Sequence, residues 1–258
     1  MFGSARRWIP FFQNLLDLLY PRSCLQCNAS IENERSEDPE AVPAQAIENF
    51  CASCWSGIRR LEGPRCPVCA VPFPSAAALL HSPDHHCGEC REDPPDFSRA
   101  ITPFAYEGAL AKAIQAFKYD KQNRLAAPLA RLLQSDLKAQ EIDQVTAIPL
   151  HPRRLRSREF NQSLLLAKQL SRFLSLPLLI DAMSRVRETP PQVGLSKKER
   201  KRNIHQAFTV NDPALIQGRR ILLIDDVYTT GATLREGAKT LIRAGAKEVV
   251  VAALARML

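Results

Sequence analysis

The amino-acid sequence predicts an α/β fold in which a mainly parallel sheet carries helices on both faces, preceded by a small cysteine-rich module. After residue 96, apolar runs typical of buried strands alternate with helical patterns, as expected for a parallel sheet with crossover helices. One run ends in two aspartates and a loop of small residues, at the position where open α/β sheets bind ligands. All eight cysteines lie before residue 91, in four Cys-x-x-Cys pairs.

Residues 1–96 are predicted to form an N-terminal helix and the cysteine module. Residues 8–20 have the pattern of a short amphipathic helix that packs on the module rather than on a membrane. Residues 32–43 are acidic and poor in apolar side chains, which predicts a flexible loop. Two prolines between acids at residues 93–96 mark the boundary with a second domain, residues 97–258.

The cysteine spacing predicts two structural Zn²⁺ ions. Two thiolates separated by two residues can reach one ion, and two such pairs make a tetrahedral site. A disulfide framework or an iron–sulfur cluster is the alternative, and the lack of a convincing signal peptide favours zinc. Sequential pairing is expected, although interleaved pairing is physically possible because loop-closure entropy grows slowly with length. The sites would be Cys24, Cys27, Cys51 and Cys54, and then Cys66, Cys69, Cys87 and Cys90.

Charge is divided unevenly between the two parts of the chain. Residues 1–96 contain eight arginines and thirteen acids, a net charge of −5, whereas residues 97–258 carry a net charge of +13. A basic domain suits an anionic substrate, a nucleic acid or both. No segment is long enough to span a membrane, so we expect a cytoplasmic protein without stable membrane insertion.

The elements of the second domain follow from its apolar periodicity. Strands are predicted at residues 99–106, 144–150, 178–185, 221–224 and 248–255. Helices are predicted within residues 110–137, at 161–174 with Asn161 as the cap, and at 233–244. The polar, basic stretch from residue 184 to residue 203 predicts a mobile loop that closes over a ligand.

The strand at residues 221–224 leads into the most informative motif. Asp225 and Asp226 at its carboxyl end offer acceptors for a pair of sugar hydroxyls, whereas capping the next helix would need only one acid. The loop that follows supplies successive backbone N–H groups, hydroxyls and a glycine that can adopt a positive φ, all of which suit a phosphate. Its residues are Thr229, Thr230, Gly231, Ala232 and Thr233. The motif predicts a site for a ribose 5-phosphate.

Two further elements have the charge to contact a ligand. Four arginines follow the strand at residues 144–150, and a cluster of guanidinium groups suits a polyanion. They are Arg153, Arg154, Arg156 and Arg158. In the run Phe117-Lys118-Tyr119, the lysine could reach an anion and the tyrosine could stack on a base.

The run from Ile221 to Thr233 resembles the phosphoribosyl pyrophosphate (PRPP) motif of type I phosphoribosyltransferases. The resemblance implies that the loop binds the 5-phosphate and that Asp225 and Asp226 face the ribose hydroxyls, with Mg²⁺ accompanying PRPP. It also implies that the arginine cluster faces the pyrophosphate. The fold expected from this resemblance is the type I phosphoribosyltransferase-like α/β sheet.

The order of motifs along the chain resembles that of the ComF/GntX family. The resemblance rests on the four cysteine pairs, Phe117-Lys118-Tyr119, the run from Arg158 to Gln162, Thr189-Pro190-Pro191-Gln192 and the PRPP motif. It implies a role in DNA uptake and natural transformation, with single-stranded DNA and the competence machinery as partners. Glu159 departs from the family pattern, which has glycine at this position, and an acid there could weaken anion binding by the arginines.

Three functions are compatible with the sequence. The chain could be a phosphoribosyltransferase acting on an unknown base or amine acceptor, because the sequence identifies no acceptor pocket. It could instead bind internalised single-stranded DNA, with the transferase fold as a scaffold. It could also be a regulator that senses PRPP without turnover.

Overall fold

The computed structural model describes most of the chain, namely residues 23–31, 50–75, 77–80, 82, 84–119, 122–190 and 196–258. The helix predicted at residues 8–20 and the acidic loop predicted at 32–43 lie outside the described residues. No helix within these ranges has both the length and the apolar character required to cross a membrane.

The cysteine module is built from two similar turns. In each, the second cysteine of a pair precedes a residue with positive φ, Asn28 at 59° and Ala70 at 60°. The N–H of this residue donates to the carbonyl of the first cysteine, over 2.8 Å for Cys24 and 2.9 Å for Cys66. Three short helices complete the module: α1 (Ala52–Ser56), α2 (Ala77–Leu80) and α3 (Gly88–Glu92).

The prediction of a mainly parallel sheet is confirmed. Five strands form the sheet: β1 (Arg99–Ile101), β2 (Phe104–Ala105), β3 (Gln144–Ala147), β6 (Arg220–Tyr228) and β7 (Glu248–Arg256). They pair in parallel in the order β1-β7-β6-β3, with β2 also paired to β7. Two further strands, β4 (Met183–Arg185) and β5 (Phe208–Val210), form a separate antiparallel pair.

Helices cover both faces of this sheet, as the sequence predicts. The helices are α4 (Gly108–Tyr119), α5 (Ala126–Lys138), α6 (Pro152–Arg158), α7 (Gln162–Leu174), α8 (Lys197–Ile204) and α9 (Ala232–Arg243). Alternate side chains of β6 and β7 belong to opposite cores: Leu222 and Ile224 pack with α4, α5 and α7, whereas Ile221 and Leu223 pack with α9. Burial on both faces explains why these strands are continuous apolar runs.

The cysteine module covers one edge of the sheet. The N–H of Ala100 in β1 donates to the Val68 carbonyl over 2.7 Å, and that of Ala105 in β2 donates to the Arg59 carbonyl over 3.0 Å. Because these bonds occupy backbone groups that an edge strand would otherwise expose, the module protects the sheet from pairing with another chain.

Two predicted strands are broken in the structure. The run at residues 99–106 divides into β1 and β2, interrupted at Pro103, which has no N–H to donate. The run at residues 178–185 also divides, because Leu178 pairs with β3 whereas Met183–Arg185 forms β4 in the separate pair.

The basic stretch predicted as a mobile loop, residues 184–203, contains a helix. Ser196 forms a capping box with Glu199 at the start of α8. The loop prediction was wrong for residues 197–203 because it weighed their charge above this capping signal. The arginine-rich run after β3 also forms a helix, α6, which His151 caps and which has proline in its first turn.

Candidate functional site

The two aspartates lie at the carboxyl end of β6, with neighbouring strands on both sides. The strand continues beyond them to Tyr228, since Val227 and Tyr228 pair with β7. Asp225 Oδ1 accepts hydrogen bonds from Ser163 Oγ and from the backbone N–H of Asp226, each over 2.9 Å. Asp226 Oδ1 lies 2.8 Å from Lys118 Nζ at the end of α4. The structure thus brings together the acid pair and the lysine predicted from the sequence.

This acid pair is electrostatically strained. Burial, together with the neighbouring carboxylate of Asp226, raises the pKa of Asp225 to about 7, against the opposing effects of Lys118 and Ser163. Burial alone would lower the pKa of Lys118, but the attraction of Asp226 and Asp225 raises it above its usual value. A ligand that brings hydroxyl donors or a cation to these carboxylates would relieve the strain.

The small-residue loop turns sharply into the amino end of α9. Gly231 precedes the helix with φ +74°, and its carbonyl accepts from the N–H of Arg235 over 2.8 Å. A Cβ atom at Gly231 would overlap the ring of Tyr228, coming within 2.8 Å of Cε1 and closer still to Oη. The turn therefore needs glycine for its backbone conformation and for its space. The amino end of a twelve-residue helix, as here, favours an anion.

The four predicted arginines differ in burial, with Arg154 and Arg158 half-buried and the other two exposed. Arg154 Nη2 donates to the Thr189 carbonyl over 3.0 Å, and Arg158 Nη1 donates to Gln162 Oε1 over 3.3 Å. Burial and then the charge of Arg158 lower the pKa of Arg154, which places the two guanidinium groups near one another. Arg153 instead forms an exposed ion pair with Glu188 at 2.6 Å, and Arg156 is exposed.

Sequence reasoning missed two residues at this site. Ser163 is recognisable only as the second residue after the predicted Asn161 helix cap. Arg185, in β4, is only 6% exposed and was predicted only as the end of a strand and the start of a mobile loop. Burial and the charge of Arg154 lower the pKa of Arg185 to about 10, whereas the Asp225 carboxylate acts in the opposite direction. Its Nη2 donates to Thr189 Oγ1, whereas its Nε has no hydrogen-bond partner among the described residues, so this buried cationic group keeps unused donor capacity.

The backbone conformation of Glu159 explains why the family pattern has glycine at this position. Glu159 ends α6 with φ +68°, in the left-handed region. We expect Glu159→Gly to increase the free energy of unfolding by about 1 kcal/mol, because glycine has no Cβ penalty there. Urea denaturation would measure the change. Glu159→Gln is the matched control, since it removes the charge but keeps the strain, and equal stabilisation by both variants would contradict the explanation.

The eight cysteines form two four-thiol clusters with the predicted sequential pairing. Within each cluster the sulfur atoms lie within 4.8 Å of one another. The Sγ atoms of Cys27 and Cys51 are 3.7 Å apart, and those of Cys69 and Cys87 are 3.6 Å apart. These distances are far too long for disulfides. They fit a tetrahedral zinc site, where Zn–S bonds of about 2.3 Å place sulfurs about 3.8 Å apart. The first cluster comprises Cys24, Cys27, Cys51 and Cys54, and the second Cys66, Cys69, Cys87 and Cys90.

Comparison with known proteins agrees with this two-part organisation. Residues 15–91 match the double zinc ribbon domain family, and residues 161–257 match the phosphoribosyl transferase domain family. DNA utilization protein YhgH of Escherichia coli (strain K12) is 37% identical over 216 residues, which cover 81% of this chain and 91% of that protein. Competence protein F of Haemophilus influenzae is 34% identical over 219 residues, 82% of this chain and 92% of that protein.

A third relative extends the match over almost its whole length. Competence protein ComFC of Streptococcus pneumoniae (strain ATCC BAA-255 / R6) is 32% identical over 236 residues, covering 90% of this chain and 99% of that protein. With two domain families in the same order and relatives matched over most of their length, the chain belongs to the ComF/GntX family.

Proposed function

We propose that this protein binds PRPP with Mg²⁺ at the carboxyl end of β6 and acts in the cytoplasm in the handling of internalised single-stranded DNA. The observation that carries the proposal is the arrangement of Asp225, Asp226 and Lys118 directly before the glycine turn of α9. This arrangement of carboxylates beside the amino end of a helix supports a site that takes sugar hydroxyls and a phosphate.

The ribose is assigned to the acid pair. In the absence of a ligand, Asp225 is satisfied by Ser163 and by the N–H of Asp226 through a single oxygen, Oδ1. Its other oxygen, together with the Asp226 carboxylate, is assigned to the ribose hydroxyls and to the waters of a bound Mg²⁺. Lys118 balances part of the charge before PRPP arrives.

The two ends of PRPP are assigned to the two positive regions beside the acids. Thr229, Thr230, Gly231, Ala232 and Thr233 would bind the 5-phosphate through the amino end of α9. Arg154 and Arg185, whose pKa values are both lowered by burial and by neighbouring arginines, would gain a counter-charge from the pyrophosphate. Arg158 lies near Arg154 and would add its positive charge at this end of PRPP. Arg153 and Arg156 are exposed and lie outside the group formed by the other arginines.

The biological setting is proposed from the relatives. They bear the names DNA utilization protein, competence protein F and competence protein ComFC. We assign this chain the corresponding role in DNA uptake, with the competence machinery as its partner.

Calorimetric titration of the zinc-loaded protein with PRPP and Mg²⁺ tests the pocket. We expect saturable binding that weakens at least a hundredfold in the Asp225→Ala/Asp226→Ala variant, about 3 kcal/mol, because both ribose contacts are lost. Asp143→Asn is the control, since Asp143 pairs with Arg220 at the opposite end of the same strands. Absence of binding by the wild type, or equal weakening in the control, would overturn the proposal.

Turnover separates a transferase from a PRPP-sensing regulator. A transferase would release pyrophosphate from PRPP in the presence of a nucleobase or amine acceptor, and Asp225→Ala would abolish the release. A regulator would instead change its affinity for DNA or a partner when PRPP binds, without releasing pyrophosphate.

Tyr119 supports single-stranded DNA as a ligand beside the PRPP pocket. The side chain is 64% exposed, and the Arg158 guanidinium lies 5.3 Å from its ring centroid. An exposed aromatic ring beside arginines is the combination that binds single strands by stacking and by phosphate contacts. The exposed Arg156 extends the positive surface along α6, whereas Arg153 is paired with Glu188.

Fluorescence anisotropy with a labelled oligothymidine tests this second ligand. We expect binding that weakens as salt rises, and a loss of about tenfold for Tyr119→Ala/Arg156→Gln. Arg172→Gln removes the same charge at the far end of α7 and should leave affinity within twofold. Unchanged binding by the double variant would exclude this surface.

A further inference from the structure

We propose that Tyr228 and Arg256 are positioning residues that couple the second zinc centre to the phosphate-binding loop, so that zinc and PRPP stabilise one another. The second zinc centre is the cluster of Cys66, Cys69, Cys87 and Cys90. The part of this inference that concerns PRPP rests on the proposed function.

The buried ring of Tyr228 packs directly against the phosphate-binding loop. Tyr228 is the last residue of β6 and is only 3% exposed. Its hydroxyl and ring lie where a Cβ of Gly231 would be, so the ring touches the turn that precedes α9. Because no space separates the two, a shift of the ring would move the backbone that is assigned to the 5-phosphate.

Arg256 joins this ring to the zinc module. It is 5% exposed, and its guanidinium lies 4.2 Å from the centroid of the Tyr228 ring. Its Nη2 donates a hydrogen bond to the backbone carbonyl of Cys69, a residue of the second centre. A buried guanidinium must be compensated, and here the π face of Tyr228 and the Cys69 carbonyl provide part of the compensation, while Nε has no hydrogen-bond partner among the described residues.

A second contact connects the same cluster to α9. Arg235, in the first turns of that helix, donates from Nη1 to the Asp93 carbonyl over 2.7 Å. Its Nη2 lies 3.4 Å from Oε1 of Glu89, which stands between Cys87 and Cys90 in the chain. The two halves of the second centre are therefore tied to the two sides of the phosphate-binding turn, one through Arg256 and one through Arg235.

Zinc would fix the atom on which Arg256 depends. The Cys69 carbonyl belongs to a turn held by two backbone hydrogen bonds, from Ala70 N–H to the Cys66 carbonyl and from Cys66 N–H to the Val71 carbonyl, each 2.9 Å long. Such a small module depends on its metal for folding, so loss of zinc would release the carbonyl. By thermodynamic linkage, a ligand that holds the loop in place must in turn slow the loss of zinc.

Pulsed alkylation of the zinc-loaded protein, followed by peptide mass spectrometry, tests the coupling because it reports the two centres separately. With PRPP and Mg²⁺ bound, we expect the cysteines of the second centre to react about tenfold more slowly. In Arg256→Gln, both zinc ions remain bound, but PRPP affinity falls about tenfold and PRPP no longer protects these cysteines. Arg99→Gln, which changes an exposed arginine of β1, should behave as the wild type. Equal reactivity with and without bound PRPP in the wild type would overturn the coupling while leaving the proposed function intact.

Hydrogen exchange of the protein without PRPP tests separately whether Arg256 holds the loop at residues 229–233 in place. This connection between the zinc module and the loop is the mechanical tie. We expect the amides of residues 229–233 to exchange about tenfold faster in Arg256→Gln than in the wild type, with Arg99→Gln unchanged. If the wild type fails to bind PRPP, the proposed function fails, but faster exchange in Arg256→Gln would still support the tie between zinc module and loop. Unchanged exchange would overturn that tie.

Discussion

Gly231→Ala is expected to abolish PRPP binding and to lower the free energy of unfolding by about 3 kcal/mol or more. Two costs combine at this position. The backbone has φ +74°, which disfavours any residue with a Cβ by about 1–2 kcal/mol. The added atom would also overlap the buried ring of Tyr228, and overpacking of this kind costs about 1–3 kcal/mol.

The loop has few ways to accommodate the added methyl group. Tyr228 is buried and its ring packs against the guanidinium of Arg256, so the ring has little room to move away from the turn. We therefore expect the turn itself to move, which would displace the N–H groups at the start of α9 from the 5-phosphate.

Gly218→Ala is the matched control for this substitution. Gly218 has φ +70°, but an added Cβ would meet no atom within 4 Å. We expect it to show the backbone penalty alone, about 1–2 kcal/mol, with unchanged PRPP affinity. Urea denaturation and calorimetry measure both quantities. If the PRPP affinity of Gly231→Ala lies within threefold of the wild-type affinity, this loop is not part of the PRPP site.

Asp225→Asn is expected to stabilise the ligand-free protein while weakening PRPP binding at least tenfold. The folded-state pKa of Asp225 is about 7, above the ordinary value of 3.8, so the folded chain holds this proton more tightly than the unfolded chain. Wild-type stability therefore falls as pH rises from about 4 to about 7, and asparagine, which does not ionise, avoids the loss. Three pKa units correspond to an upper value of about 4 kcal/mol.

The pH dependence of unfolding provides the measurement. Between pH 6 and pH 8 the stability advantage of Asp225→Asn should grow by about 1 kcal/mol and then level off, as Asp225 completes its ionisation in the folded wild type. Asp143→Asn should instead lower the free energy of unfolding by an amount that stays constant over this pH range, because the hydrogen bond from Arg220 lowers the pKa of Asp143 and its ionised form stabilises the fold. A stability loss in Asp225→Asn at pH 8 would show that the acid pair is not strained.

Much of the site was predictable because its residues are adjacent in the chain. Asp225, Asp226 and Gly231 belong to one strand–loop–helix unit, whose apolar run and turn chemistry identify it locally. Asn161 was likewise predicted as a helix cap, and its side chain accepts from the N–H groups of Ser163 and Leu164. The cysteine pairing also followed from local order along the chain.

Residues that join the site from distant segments were not predictable in the same way. Arg185 lies in a stretch that is basic throughout, and nothing local distinguishes a buried arginine from its exposed neighbours. Its position depends on β4 pairing with β5, a short contact between residues more than twenty positions apart. Ser163 is one of many serines, and only the packing of α7 against β6 brings its hydroxyl to Asp225.

The place of β7 in the sheet has a consequence for synthesis on the ribosome. This strand lies between β6 and the β1–β2 edge, and it follows all of them in the chain. The zinc module can therefore fold early, whereas β6 and β1 have no partner between them until residue 256 has emerged. During that interval the growing chain exposes two long-range pairing edges, a situation in which slow folding and aggregation are characteristic risks. A metal-bound amino-terminal module that is already attached to β1 and β2 occupies backbone groups of these strands. Fewer exposed strand edges would then be available for incorrect pairing when β7 emerges.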